Sequence, residues 1–585
     1  MTQKTGVAKW VEFFPGVLGL VMVLAKLQPL DGYLGHDYYH AFTRLYIGAV
    51  HFWHHGFAVP HYTPYLLGGI PFFADPQSYY YSLPQWLTFF VEPWHAVTLT
   101  YLIFYGIGYL GCLRLFQELG FSRRIAHLAA VAFLVNGFTY VNLFVGHLTH
   151  HGFLLLPWLI YGLLRTGDID WRNRFRSACG MALGLCYLFF SGATHILIVF
   201  AATGVLLTPW LLLRKLERKE LLRFLSLLAM VGGLVSLACA GKLAASVFYG
   251  RNFLARSVDT SGVVPWKLVL QYFWFRPDHT PTYLLFGKIW VYGAWEYVGF
   301  MPKAIFPLGL LALVPVIQSR DWRRWLVAVA TLGLALLVIS LAAGNEWNSV
   351  LPFFRSYHNP IKLFAAFIPL LPIPFAYGIQ WACRLEPFKR LSPPASYLLF
   401  FLTGLVFVGE FCGNSDFFVK RGLGIGYPYR PEIWRQLKDD ISPVRVASLT
   451  QDSESDELGL LRGTSSLNAY EPLFGYRLEA VRSQLVPGPT DRIRDGKFNL
   501  QHPGCLIYPD YFHCQAWDRV DETDRIAFEN FVDGREAAWG VPFWQKSLLV
   551  LGWLTIAGMV LVSWRPWGKA KRLSTPPFKF AEAAT

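Results

Sequence analysis

What this 585-residue chain has least of is charge. Asp, Glu, Lys and Arg together make up 15% of it, against about 25% in soluble chains. Acidic residues are the scarcer sign, 38 against 52 Lys and Arg, for a net charge of +14. So little charge excludes a disordered chain and a coiled coil with charged flanking positions. Cysteine is scarce too, 8 in all, which rules out a disulfide scaffold. The fingerprints of soluble phosphate and hydrolase chemistry are also missing. There is no GxGxxG with a downstream acidic residue, no P-loop, no HExxH and no Ser/His/Asp set with a nucleophile elbow. A nucleotide-sugar donor and ATP-driven transport are therefore unsupported.

What is present is apolar and aromatic. Hydrophobic residues make up 54%, aromatic residues 17%, and there are 22 Trp and 29 Tyr. That profile belongs to a polytopic membrane protein with aromatic anchors at both interfaces. Twelve segments read as spans: 11–29, 93–117, 125–143, 152–166, 177–191, 196–213, 224–246, 300–318, 325–343, 359–380, 394–412 and 546–564. With the N-terminus cytoplasmic, every inner segment is basic, as at Arg123 and Arg124, at Arg172, Arg174 and Arg176, and at Lys569, Lys571 and Arg572. The outer segment 30–83 has one basic residue, Arg44, and the outer turn near His147 has no Lys or Arg. The alternation predicts a multi-pass plasma (inner) membrane protein with both termini cytoplasmic. No small-residue cleavage site follows the first span, which reads as an anchor.

The hydrophilic segment 413–545 carries 15 Lys and Arg against 20 Asp and Glu, a net of −5, so the rest of the chain carries +19. A basic membrane part beside an acidic outer part is not the pattern of a nucleic-acid binder. The predicted fold class is thus an all-α polytopic membrane protein of about 12 transmembrane helices with a small extracytoplasmic α/β domain. Residues 1–412 form the transmembrane module, 413–545 the soluble domain, and 546–585 a final helix and basic tail. Strands are predicted at Val444–Leu449 and Leu506–Tyr508 and a helix at Asp524–Phe531. In an oxidising compartment Cys505 and Cys514 are candidates for a disulfide.

Chemistry is expected in the outer loops 30–92 and 247–299. From Asp37 to Phe57 apolar residues recur at helical spacing, interleaved with His and aromatics, which predicts an amphipathic helix lying along the interface. A second short helix is expected at Gln85–Phe90. Asp31 and Asp37 stand at the exit of the first span, where a partly desolvated carboxylate can act as a general base. The alternative for Asp37 is to cap the helix it precedes. The pairs His36/His40 and His51/His55 have i, i+4 spacing, which suits a metal pair or simply an interfacial face. Asp75 sits in a Pro-rich turn, as an Asx turn or a substrate contact. Lys242 falls within the seventh span, and an intramembrane charge is a functional candidate unless it snorkels or pairs with Glu410.

Three stretches carry a family resemblance: Gly35-His36-Asp37, the loop from Gly56 to Pro84 with its Asp75-Pro76-Gln77, and Leu351–Leu371. Together they resemble the GT-C superfamily of membrane glycosyltransferases, most closely its YfhO-like bacterial members. There the later stretch ends roughly in Arg-x-Pro-x-Arg, and here, around Pro360, His358 and Lys362 stand at the two Arg positions. The resemblance implies a polyprenyl-phosphate sugar donor, a membrane lipid environment and an extracytoplasmic glycan, glycolipid or protein acceptor, with inverting transfer. It implies Asp37 as base, with Asp31 the alternative carboxylate. Donor phosphate binding would fall to Lys362, His358 and Arg355, or to Arg251 and Arg256. Substrate contacts would fall to His36, His40, Asp75, Gln77 and Glu296. A divalent cation, Mg²⁺ or Mn²⁺, shared by Asp37, Asp75 and His40 is a further implication. Two other classes compete: a transporter or flippase for lipid-linked sugars, and a non-catalytic scaffold for envelope assembly. Matching inverted repeats would mark the former, and the sequence has no two halves of matching hydropathy.

Overall fold

A computed structural model of the chain describes residues 5–61, 63, 72–165, 171–214, 218–250, 253–255, 298–318, 322–342, 360–420, 425–429, 431, 434–435, 445–448, 464–466, 473–475, 501–502, 505–507, 514–516 and 543–564. The chain enters through α1 (Thr5–Lys26), a short strand β1 (Tyr33–Gly35) and α2 (Tyr38–His55). Next come α3 (Leu83–Thr88), α4 (Pro93–Glu118), α5 (Arg123–Leu134) and α6 (Gly137–Val145). A 3-10 segment, Leu148–Leu155, leads into α7 (Leu156–Leu164), then α8 (Trp171–Phe190), α9 (Thr194–Arg214) and α10 (Arg218–Gly250). Further helices cover Ile305–Leu310, Leu313–Gln318, Trp322–Ala342, Pro372–Ala382, Pro393–Lys420 and Phe543–Trp564. Among the described residues, seven helical segments are long and apolar enough to cross a membrane: Pro93–Glu118, Arg123–Val145, Thr194–Leu211, Leu221–Val247, Lys362–Ala382, Pro394–Asp416 and Trp544–Ser563.

The segment Arg123–Val145 is the most enclosed of these, buried along its apolar length. It is not one continuous helix. Asn136 ends α5 and starts α6: its side-chain oxygen accepts from the Thr139 amide at 2.8 Å, and its amide donates to the Phe133 carbonyl at 2.6 Å. Both helix ends are thereby satisfied inside the bundle, where no water could do it. Around this centre α4 packs on α5, α1 lies on Pro393–Lys420, and α10 lies between α8 and the last helix.

The first loop departs from its expected form. Helix α2 forms where the periodicity places it, but Ala41 to Val50 are buried without a break. It is therefore not an interfacial helix with one side in lipid over that stretch. Within it Arg44 is enclosed and paired with Asp75 of the segment 72–82. Helix α3 is capped by Ser82, whose hydroxyl accepts from the Gln85 amide at 3.3 Å, with a proline in its first turn. Its Gln85 side chain donates to the Leu45 carbonyl of α2 at 2.9 Å.

Strand β1 pairs antiparallel with β2 (Ile425–Pro428), tying the first loop to the chain that leaves Pro393–Lys420. Strands β3 (Arg445–Ser448) and β5 (Cys505–Ile507) occur where strands were expected, in a sheet whose order runs β4 (Thr464–Ser466), β3, β5, β6 (Cys514–Ala516). The helix expected at 524–531 lies outside the described residues. The register of β5 and β6 sets Cys505 opposite Ala516 and Ile507 opposite Cys514, and the expected Cys505–Cys514 bridge concerns side chains that lie outside the described ones.

Candidate active site

Asp37 occupies the N-cap position of α2, but its side chain makes no capping bond. The carboxylate faces across the loop instead. It meets the imidazole of His147 at 2.7 Å and that of His36 at 3.3 Å. Two glycines make this approach possible. A Cβ on Gly35 would lie 2.2 Å from the Val145 carbonyl oxygen, and one on Gly146 would lie 2.4 Å from the Tyr38 amide. With both side chains absent, the Asp37 amide donates to the Val145 carbonyl at 3.0 Å and the Tyr38 hydroxyl to the Leu143 carbonyl at 2.6 Å.

His147 is oriented from behind. Its Nδ1 lies 2.8 Å from Asn142 Oδ1, and Asn142 Nδ2 donates to the Phe138 carbonyl at 2.7 Å. A flipped Asn142 would put two oxygens together, so the amide orientation is set by its helix. Nδ1 of His147 then donates to Asn142, and because the Asp37 carboxylate only accepts, the Nε2 bond to it forms when Nε2 carries hydrogen as well. Burial acts to raise the Asp37 pKa, but the His147 hydrogen bond and the charges of its histidine neighbours outweigh it and lower it to about 2. Burial and Arg44 push the His40 imidazole down to about 3, so it is neutral near pH 7.

A second cluster lies one turn further along α2. Arg44 is fully enclosed. It donates from Nη1 to Asp75 Oδ2 and from Nε to His40 Nε2, the latter at 3.1 Å. The other Asp75 oxygen accepts from the Gln77 amide at 2.8 Å, which closes an Asx turn. The expected cation site at Asp37, Asp75 and His40 does not fit this arrangement. A guanidinium already fills the space between Asp75 and His40, and among the described residues no three His, Cys, Asp or Glu side chains converge as metal ligands. Lys242 is buried behind the cluster, with Nζ 3.4 Å from the Phe190 carbonyl and over the Phe189 and Phe190 rings at 5.8 and 5.9 Å. It is not paired with Glu410, whose carboxylate accepts from the Lys303 amide at 2.6 Å.

From Asp37 a row of imidazoles runs inward. The His147 ring stacks on His150 at 5.3 Å, and His150 meets His195 at 4.3 Å. Lys362 lies within electrostatic reach of both His150 and His195. Of the residues expected from sequence, the structure brings His36, His40 and Asp37 together at one end and places Lys362 at the other. Asp31 has a left-handed φ of 51°, and Gln77 contributes its backbone to the Asp75 turn. His358, Arg355, Arg251, Arg256 and Glu296 lie outside the described residues. His147, Asn142, His150 and His195 were missed. The signal was the polar run His147-x-x-His150-His151 directly after a largely apolar segment, and a lone His195 opening another.

No family model matches the chain, and no curated protein matches it. Among solved structures, the cryo-EM structure of the arabinofuranosyltransferase AftD from Mycobacteria aligns at 16% identity and a TM-score of 0.46, over 90% of this chain and 37% of that one. A mutant of the same enzyme aligns at 17% identity and a TM-score of 0.43, over 79% and 32%. The chain spans about a third of the length of the structures it is similar to. Likeness at these scores is too distant to establish a shared fold or activity.

Proposed function

We propose that the chain is a membrane glycosyltransferase of the GT-C type, taking a sugar from a polyprenyl-phosphate donor to an acceptor hydroxyl on the extracytoplasmic side. The observation that carries this reading is Asp37. Its carboxylate stands at a helix start without capping it, held by His147 at the outer end of an imidazole row that reaches Lys362. In the proposed step the acceptor oxygen attacks the anomeric carbon, and the bond from that carbon to the phosphate oxygen breaks with its electron pair leaving on the phosphate. The acceptor proton passes to Asp37. A carboxylate this weakly basic takes the proton late, once the attacking oxygen has become strongly acidic through bonding to the sugar. Lys362 offers a point charge for the departing phosphate. The twelve-span topology, the cytoplasmic termini and the single displacement with inversion belong to the same proposal.

Asp37→Asn tests it. Asn fills the same space, no capping bond is lost, and transfer should fall by about 10²–10⁴ if the carboxylate is the base. Asp31→Asn is the control, since Asn tolerates a left-handed backbone. The measurement is turnover at saturating donor with monodisperse protein. Wild-type turnover in Asp37→Asn would remove the central support of the reading, and loss confined to Asp31→Asn would move the base there.

A further inference from the structure

The 3-10 segment Leu148–Leu155 carries two adjacent histidines with the same ring tautomer and different fates. His151 places Nδ1 2.5 Å from the Leu148 carbonyl, and its Nε2 faces the Tyr187 hydroxyl at 2.7 Å. That hydroxyl in turn accepts from the Leu83 amide at 3.1 Å. Every polar atom of this ring is matched, so His151 is structural. His150 places Nδ1 3.2 Å from the His147 carbonyl, an acceptor, so the hydrogen sits on Nδ1 and Nε2 presents a lone pair. Among the described residues that Nε2 is buried with no hydrogen-bond partner, on a residue only 2% exposed. Beside it, 4.3 Å away between ring centroids, His195 also holds a buried Nε2 with no partner among the described residues. Two unmet nitrogens in one enclosed spot are costly unless a ligand meets them.

The charge nearby is Lys362, which attracts an anion, whereas a neutral imidazole lone pair wants a hydroxyl. A glycosyl phosphate carries both groups a few bonds apart. We propose that His150 Nε2, with His195 beside it, accepts a hydrogen bond from a ring hydroxyl of the transferred sugar while its phosphate lies at Lys362. His150 is then a residue that selects the sugar, and neither the first-loop motifs nor the later Leu351–Leu371 stretch marks it. This rests on the transferase reading and adds the group that reads the sugar.

The test is binding to the full chain in nanodiscs, with three probes: citronellyl phosphate, its mannosyl ester and its arabinofuranosyl ester. His150→Asn keeps an amide able to reach the His147 carbonyl and removes the distal acceptor. It should weaken the better-binding glycosyl ester about 10-fold or more and leave sugar-free citronellyl phosphate within about twofold. Lys362→Ala should weaken all three. On the wild type, ester analogues lacking one ring hydroxyl in turn should include one that loses the same factor, and that loss should vanish in His150→Asn. If no single hydroxyl matters on the wild type, or if His150→Asn weakens the sugar-free phosphate as much as the ester, the proposal is overturned. If the wild type binds none of the probes, the donor class itself is wrong, and that outcome is distinct from a wild type that binds all three with no dependence on His150.

Discussion

A single methyl group at Gly146 should uncouple the candidate base. In Gly146→Ala the new Cβ would lie 2.4 Å from the Tyr38 amide nitrogen, 2.6 Å from the Asp37 carbonyl carbon and 3.1 Å from Tyr38 Cα. All three neighbours are backbone, so no side chain can swing aside. Ordinary contact begins at 3.4 Å, and relief therefore requires roughly 1 Å of separation between the α6 end and the start of α2. The Asp37–His147 contact, now 2.7 Å, would open past hydrogen-bond length by that movement. Misplacement of about 1 Å at a reacting centre costs about 10²-fold in rate. The backbone at Gly146 has φ +120°, so alanine adds about 1–3 kcal/mol of strain as well. Gly32→Ala separates the two effects: Gly32 also has positive φ, at +83°, and a Cβ there meets nothing within 4 Å. The assay is initial transfer rate with a melting curve for each variant in the same detergent. Both should melt lower than wild type, and only Gly146→Ala should lose transfer. Equal loss in the two, or full transfer in Gly146→Ala, would refute the claim that this close approach holds Asp37 in place.

Arg44→Met removes one partner of an enclosed ion pair and leaves Asp75 uncompensated, so unfolding in detergent should shift by about 3–5 kcal/mol, and Arg44→Met with Asp75→Asn should recover much of it. Because Asp37 falls from 3.8 to about 2, its pairing contributes stability that is complete above the unfolded value and is lost as pH drops through the folded one. Wild type should therefore lose up to about 2 kcal/mol between pH 4 and 2, and Asp37→Asn should show a shallower slope over that window. The orientation is checked by single cysteines at Asn345, Ser453 and Asn173: an impermeant thiol reagent should label the first two in intact cells and spare the third, and labelling at Asn173 would invert the topology.

Hydropathy and caps made much of this molecule legible in its residues. Apolar runs of membrane-crossing length predict helices because an unpaired backbone has no partner in lipid, and Asp37 at a span exit stands out because a carboxylate there is rare. The Asp75 turn is equally local, needing nothing beyond the amide two residues on. Whether Asp37 would cap its helix or turn away could not be read locally, since both uses want the same residue at the same position. That choice was made by the α6 end, which two glycines let approach within hydrogen-bond distance. Arg44 looked like one stray cation in an interfacial helix; only the fold shows Asp75, 31 residues on, enclosing it. His147 and His150 sit three residues apart in a turn and the 3-10 segment after it, but His195 opens a helix that follows two intervening helices, and no spacing rule links it to them. Periodicity reports what a residue's own element does, whereas the site is made by side chains whose partners lie on other elements, and their meeting is decided by how the helices pack.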